Sequence, residues 1–109
     1  MTTANGATNP TGTQPYGIIH FFPQGTKAQY EAIMIAMNGK LGVIPQGQIF
    51  HAAGPAAGGW QIVAVQESKQ SWDRFMSDIF VPLVTKGIPG GFTSPPTETT
   101  FDASHVYQS

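Results

Sequence analysis

Apolar positions along the chain fall into runs whose spacing alternates between strand-like and helix-like. Tyr16 to Pro23 (YGIIHFFP) is a nearly unbroken apolar and aromatic run closed by proline, which predicts a strand covered on both faces. Thr26, with Gln29 three residues on, has the pattern of a capping box. Behind it Tyr30, Ile33, Met34 and Met37 make a helical stripe that Asn38-Gly39 ends. Lys40 to Gly47 reads as a loop, Gln48 to Ala53 as a second strand, Gly54 to Gly59 as a hairpin loop and Trp60 to Glu67 as a third strand. Ser68 is a good N-cap for a helix over Lys69 to Thr85, with Trp72, Phe75, Met76, Ile79, Phe80, Leu83 and Val84 on its buried stripe. Pro82 should kink that helix or end its regular part near Val81. Thr85 to Thr97 is rich in Gly and Pro and reads as a loop, long enough to serve as a lid or to cover a partner. Glu98 to Tyr107 reads as the last strand.

The predicted order is β-α-β-β-α-β, an α+β arrangement of the ferredoxin-like kind. Two right-handed crossovers give an antiparallel sheet of order 4-1-3-2 with both helices on one face. The strands, however, carry apolar residues on both parities: Ile18 and Phe22 against Ile19 and Phe21, Ile62 against Val63 and Val65. Something must cover the second face, and a second copy of the sheet is the simplest answer, giving a homodimer.

Composition narrows the function. A chain of 109 residues suits one domain, here 16–109, preceded by a polar arm over 1–15 that is too poor in apolar residues to fold by itself. Met1 to Pro15 has neither a basic start nor an apolar core, so no secretory signal is expected. There is no cysteine, which removes disulfides, thiolate zinc sites and thiol nucleophiles and fits a reducing, cytoplasmic setting. A net charge of −1 without a basic run speaks against nucleic acid and anionic membranes, and no run approaches the ~18 apolar residues of a membrane span. Charged residues make up 10% of the chain, well under the ~25% of an average domain, so either another subunit hides surface or the surface is polar without charge. Neither a phosphate-binding loop nor a hydrolase elbow is present.

The chemistry-bearing candidates centre on the second hairpin. By strand alternation His51 shares a face with Ile49 and Ala53, and the small Ala52 and Ala53 leave space near its ring. Facing a cavity, it is a candidate general base; packed, it is a neutral core histidine bonded to backbone or to Glu67. Trp60, placed by Gly58-Gly59, is a flat wall for an aromatic ligand or a core or interface plug. Glu67 either orients His51 or is solvated at a strand end, and Tyr30 either aims its hydroxyl into the same pocket or is core. Phe22, His20 and Trp72 complete the ligand-contacting candidates, with Trp72 also at home on the helix core stripe. His20 and His105 fall on predicted neighbouring strands, but a metal site needs a further ligand, and Asp102 should face away from His105; no metal is expected.

The element order, the hairpin "IFHAAGP…GGWQIVAVQES" and the following "SWDRFMSDIFVPLVTKG" resemble the dimeric α/β barrel superfamily, within it the antibiotic-biosynthesis-monooxygenase-like proteins. The resemblance covers about residues 16–107. It implies two sheets packed back to back and a pocket between each sheet and its helices. For activity it implies one of several classes: cofactor-independent oxygenases of polyphenolic or quinol substrates, haem-degrading oxygenases, cyclases, isomerases or proteins without activity. The haem-degrading pattern of an Asn in the first strand and a His on the second helix is missing here. The expectation is a cofactor-free, monooxygenase-like enzyme acting on an aromatic or polyketide-like compound, with His51 as base, Trp60 and Phe22 as walls, and Tyr30 or Glu67 as the orienting group. The alternative is a non-catalytic small-ligand-binding or assembly protein.

Overall fold

A computed structural model describes residues 14–107 of the chain. Of the expected N-terminal arm, residues 1–13 lie outside the described residues. Gln14 and Pro15 are tied to the sheet: Gln14 Nε2 donates to the Ala103 carbonyl at 2.6 Å, and the Ala103 N–H donates to the Pro15 carbonyl at 2.9 Å.

The elements are β1 (Tyr16–Pro23), α1 (Lys27–Asn38), β2 (Gln48–Ala56), β3 (Gly59–Gln66), α2 (Lys69–Phe75), a π-helical turn (Met76–Phe80), α3 (Val81–Lys86) and β4 (Thr97–Asp102). They form an α+β domain whose antiparallel sheet runs β2-β3-β1-β4, that is 4-1-3-2 from the other edge. The register places Ile18 opposite Ala64, His20 opposite Ile62 and Phe22 opposite Trp60. This face receives the helices: Ile18, Phe22, Trp60 and Ala64 are buried on it, with Ile33 and Met34 from α1 and Trp72 and Phe75 from α2.

Local chemistry explains the helix starts. The Thr26 side chain accepts from the Gln29 N–H while Gln29 Oε1 accepts from the Thr26 N–H, closing the capping box. Ser68 Oγ accepts from the Ser71 N–H at the start of α2. Gly39, at φ 81°, ends α1 with its N–H on the Ile35 carbonyl.

Two strand boundaries are corrected, and the irregularity expected at Pro82 is met in part: the regular α-helix stops at Phe75, a π-helical turn follows, and the helical segment then runs on past Pro82 to Lys86. Pro82 has no N–H to give the carbonyl four residues back. The chain answers with a wider turn, in which the Val81 N–H bonds to the Met76 carbonyl five residues back. The hairpin loop is also shorter than Gly54 to Gly59, because β2 continues through Pro55 to Ala56. Proline is tolerated there because β2 is an edge strand. Gly58 turns the chain at φ 83°, and a Cβ on Gly59 would collide with the Phe22 carbonyl oxygen. This is why two glycines precede Trp60.

The last strand stops at Asp102, not Tyr107. Its partner β1 begins at Tyr16, and Pro15 before it offers no N–H to continue the ladder. His105 therefore lies beyond the strand, its Nδ1 2.8 Å from Ser104 Oγ and its ring stacked with Tyr107.

The opposite face of the sheet carries Ile19, Phe21, Phe50, Val63, Val65 and Phe101, and no helix of the described residues lies over it. Phe50 is 43% exposed and Phe101 46%.

Candidate functional site

Between the sheet and the helices lies a cavity of about 60 Å³. Ile18, His20, Phe22 and Ile62 form its floor, and the whole apolar stripe of α1 (Tyr30, Ile33, Met34 and Met37) forms one side. Trp72, Phe75, Met76 and Phe80 form the other side, so the π-helical turn supplies part of the wall. Its polar lining residues are His20 and, joined by hydrogen bonds, Tyr30, His51 and Gln48.

A distortion of β2 brings Gln48 to His51. Residues three apart on a regular strand face opposite ways. The pairing with β3 is irregular between Gln48 and Phe50, so that Gln48 faces Gln66 while His51 faces Ala64, both on the helix side. Ile49 is the extra residue at the register shift. The resulting line of hydrogen bonds is continuous. Tyr30 Oη lies 2.6 Å from His51 Nε2, and His51 Nδ1 lies 2.7 Å from Gln48 Oε1. Gln48 Nε2 donates to Gln66 Oε1 at 3.2 Å, and Gln66 Nε2 donates to Ser71 Oγ at 3.1 Å.

The direction of this line can be read from its far end. Gln66 Nε2 also lies 3.5 Å from the Gln46 carbonyl, which only accepts. The Gln66 amide nitrogen thus points that way, and its oxygen takes a hydrogen from Gln48 Nε2. Gln48 is left with its oxygen toward the imidazole, so His51 Nδ1 carries the proton. Burial holds the His51 pKa below the usual imidazole value, which leaves the ring neutral at pH 7. Burial, with the nearby Glu31 carboxylate, holds the Tyr30 phenol above its usual value, so it stays protonated. The Tyr30 hydroxyl therefore donates to a lone pair on His51 Nε2. Together these groups make a neutral base of fixed tautomer whose basic nitrogen accepts a hydrogen bond from a phenol.

The other predicted residues divide. Phe22, His20 and Trp72 line the cavity together with Tyr30 and His51. His20 Nε2 donates to Glu98 Oε2 at 2.7 Å across β1 and β4, and its ring meets Trp72 edge-on, centroids 5.8 Å apart. Trp60 is buried behind Tyr30, ring centroids 5.2 Å apart, and is not among the lining residues. Its Nε1 is buried with no hydrogen-bond partner among the described residues. Glu67 faces a separate cleft with Gln46, Ser71 and Arg74, and the polar partner of His51 Nδ1 is Gln48. His105 is not brought to His20, and among the described residues no group of three or more His, Asp or Glu side chains is placed to hold a metal ion.

Sequence reasoning missed Gln48 and Gln66. Gln66 was the more accessible of the two, since it shares parity with Trp60, Ile62 and Ala64 and so interrupts an apolar face with a buried amide. Among the described residues no helix is long and apolar enough to cross a membrane. No protein-family model, curated protein or solved structure matches the chain.

Proposed function

We propose that the cavity binds a small aromatic or polyketide-like compound and that His51, acting through Tyr30, removes an acidic proton from it without a cofactor. The observation that carries this reading is the Tyr30–His51–Gln48 line in a cavity lined mostly by apolar side chains. In the step proposed, the Tyr30 oxygen takes the proton of an activated C–H or phenolic O–H as its own proton passes to His51 Nε2. The electron pair stays on the substrate, and the imidazolium forms beside the Gln48 oxygen. Oxygenation, cyclisation and isomerisation all begin with such a step. A second reading, a non-catalytic ligand-binding or assembly protein, is favoured by the fact that both nitrogens of His51 already have partners.

Hydrogen–deuterium exchange separates the two. The probe is 2-tetralone, a two-ring ketone with an activated CH₂, incubated with the protein in D₂O and followed by NMR. The proposal expects exchange above the buffer rate and its loss, by about 10²-fold or more, in His51→Gln. Exchange at the buffer rate in the wild type would reject catalysis and leave the binding reading.

The same reading makes the fold a ferredoxin-like unit of a cytoplasmic homodimer, two sheets packed through their bare faces into an α/β barrel. In support, the face carries Phe50, Val63, Val65 and Phe101 with no helix of the described residues over it, and an apolar patch of that kind marks an interface. Light scattering should give twice the chain mass for the wild type and the chain mass for Val63→Asp; a monomeric wild type would refute this part.

A further inference from the structure

The cavity is too small for the ligand class proposed for it. Its volume is about 60 Å³, whereas a cavity that takes up benzene measures about 150 Å³. The space that is lacking lies on the other side of one ring. Phe92, in the loop between α3 and β4, stacks on Phe22 with centroids 3.8 Å apart and planes 13° from parallel. Beyond it is an outer cleft of about 450 Å³ between α1, α3 and that loop. Both spaces are lined by Phe22, Ile33, Phe80 and Phe92, so Phe92 is one of four side chains at their boundary, and the one carried by the loop. The loop around it bends at Gly87 (φ 99°) and Gly90 (φ 77°), with a short turn closed by the Gly91 N–H on the Ile88 carbonyl at 3.0 Å. A Cβ on Gly25 would come 2.8 Å from the Phe92 ring, so the ring rests directly on that backbone.

We infer that Phe92 occupies an aromatic subsite on Phe22, and that a planar ligand of one or two fused rings binds by displacing it. The ligand's ring then lies flat on Phe22, spans the inner cavity and the outer cleft, and presents its acidic edge toward Tyr30. Ring stacking on Phe22 favours planar over puckered ligands, since offset face-to-face contact requires a flat partner. The rim residues Thr93 and Ser94 offer polar contacts to substituents that remain outside. The inference rests on the cavity being the ligand site but not on His51 chemistry, because it is tested by binding without turnover.

The probes are 2-naphthol and its puckered saturated counterpart, trans-2-decalol, measured by calorimetry, with the His51 imidazole NMR signals reporting occupancy of the site. Phe92→Ala removes the competitor and should bind 2-naphthol at least tenfold tighter than the wild type. Phe92→Trp, a larger plug, should bind it more weakly. Phe92→Leu, which keeps apolar bulk but cannot stack, should also bind more tightly than the wild type and serves if the alanine variant fails to fold. Each protein should prefer 2-naphthol to trans-2-decalol by at least tenfold. Weaker binding in both Phe92→Ala and Phe92→Leu would make Phe92 a wall and overturn the inference. Equal affinity for the two probes would overturn the aromatic subsite, as would binding indifferent to Phe92. Absence of binding to every variant would overturn the cavity reading with it.

Discussion

Replacing Gln66 by leucine tests the hydrogen-bond line at a residue that touches neither His51 nor the cavity. Gln66 is fully buried, and its amide joins Gln48 Nε2, Ser71 Oγ and the Gln46 carbonyl. Leucine is close in size and leaves those partners without a bond. Ser71 is also buried, and an orphaned buried hydroxyl costs about 1–3 kcal/mol. Gln48 is only half-buried and can turn toward water. The net loss is about 2 kcal/mol, a fall in Tm of roughly 10 °C for a domain of this size. The spectroscopic consequence is more specific. With Gln66 present, Gln48 turns its oxygen to the imidazole and fixes the proton on Nδ1. Without it, either end of the Gln48 amide can face the ring. The ¹⁵N spectrum of the wild type should show His51 Nδ1 as the protonated nitrogen and Nε2 as the bare one, and Gln66→Leu should add the reverse tautomer. A wild type with the proton on Nε2, or a variant that loses stability but keeps the tautomer pure, would refute the argument.

Two further predictions concern stability. The folded-state pKa of His51 lies below its unfolded value of about 6.5, so between the two the unfolded chain binds more protons. The contribution of the neutral ring is therefore complete above pH 6.5 and is lost as the pH falls toward the folded-state pKa. Urea titrations between pH 5 and 8 should show this loss in the wild type and a flatter profile in His51→Gln; parallel profiles would contradict it. Gly59→Ala should cost about 3 kcal/mol or more, because the added methyl meets the Phe22 carbonyl and not a side chain that can move aside. An unchanged Tm would show that the β1–β3 pairing adjusts freely.

How much was legible in the sequence depended on whether local chemistry or long-range pairing decided the outcome. The helix starts at Thr26 and Ser68 were readable because a cap is settled within a few residues. The stripe Tyr30, Ile33, Met34 and Met37 was readable by period, and all four line the cavity. His51 and Tyr30 were singled out as candidates, but their bond joins residues 21 apart and no spacing rule announces it. Gln48 was hidden for a sharper reason. Strand alternation sends it to the face opposite His51, and the irregularity at Ile49 reverses that. The end of β4 was misjudged because it depends on Pro15, a residue of another segment. Glu67 was named as an orienter on chemical type, a carboxylate near a histidine, and the fold supplied a neutral amide in that role instead.

The central claim is that His51 is a neutral base acting on a ligand in this cavity, and the pH profile of 2-tetralone exchange tests it most directly. The rate should be level above the ordinary imidazole range and fall at lower pH. Its inflection should lie below 6.5 and coincide with the pKa of His51 read from its own NMR signals. Exchange that His51→Gln retains, or an inflection that does not follow the His51 titration, would contradict the account.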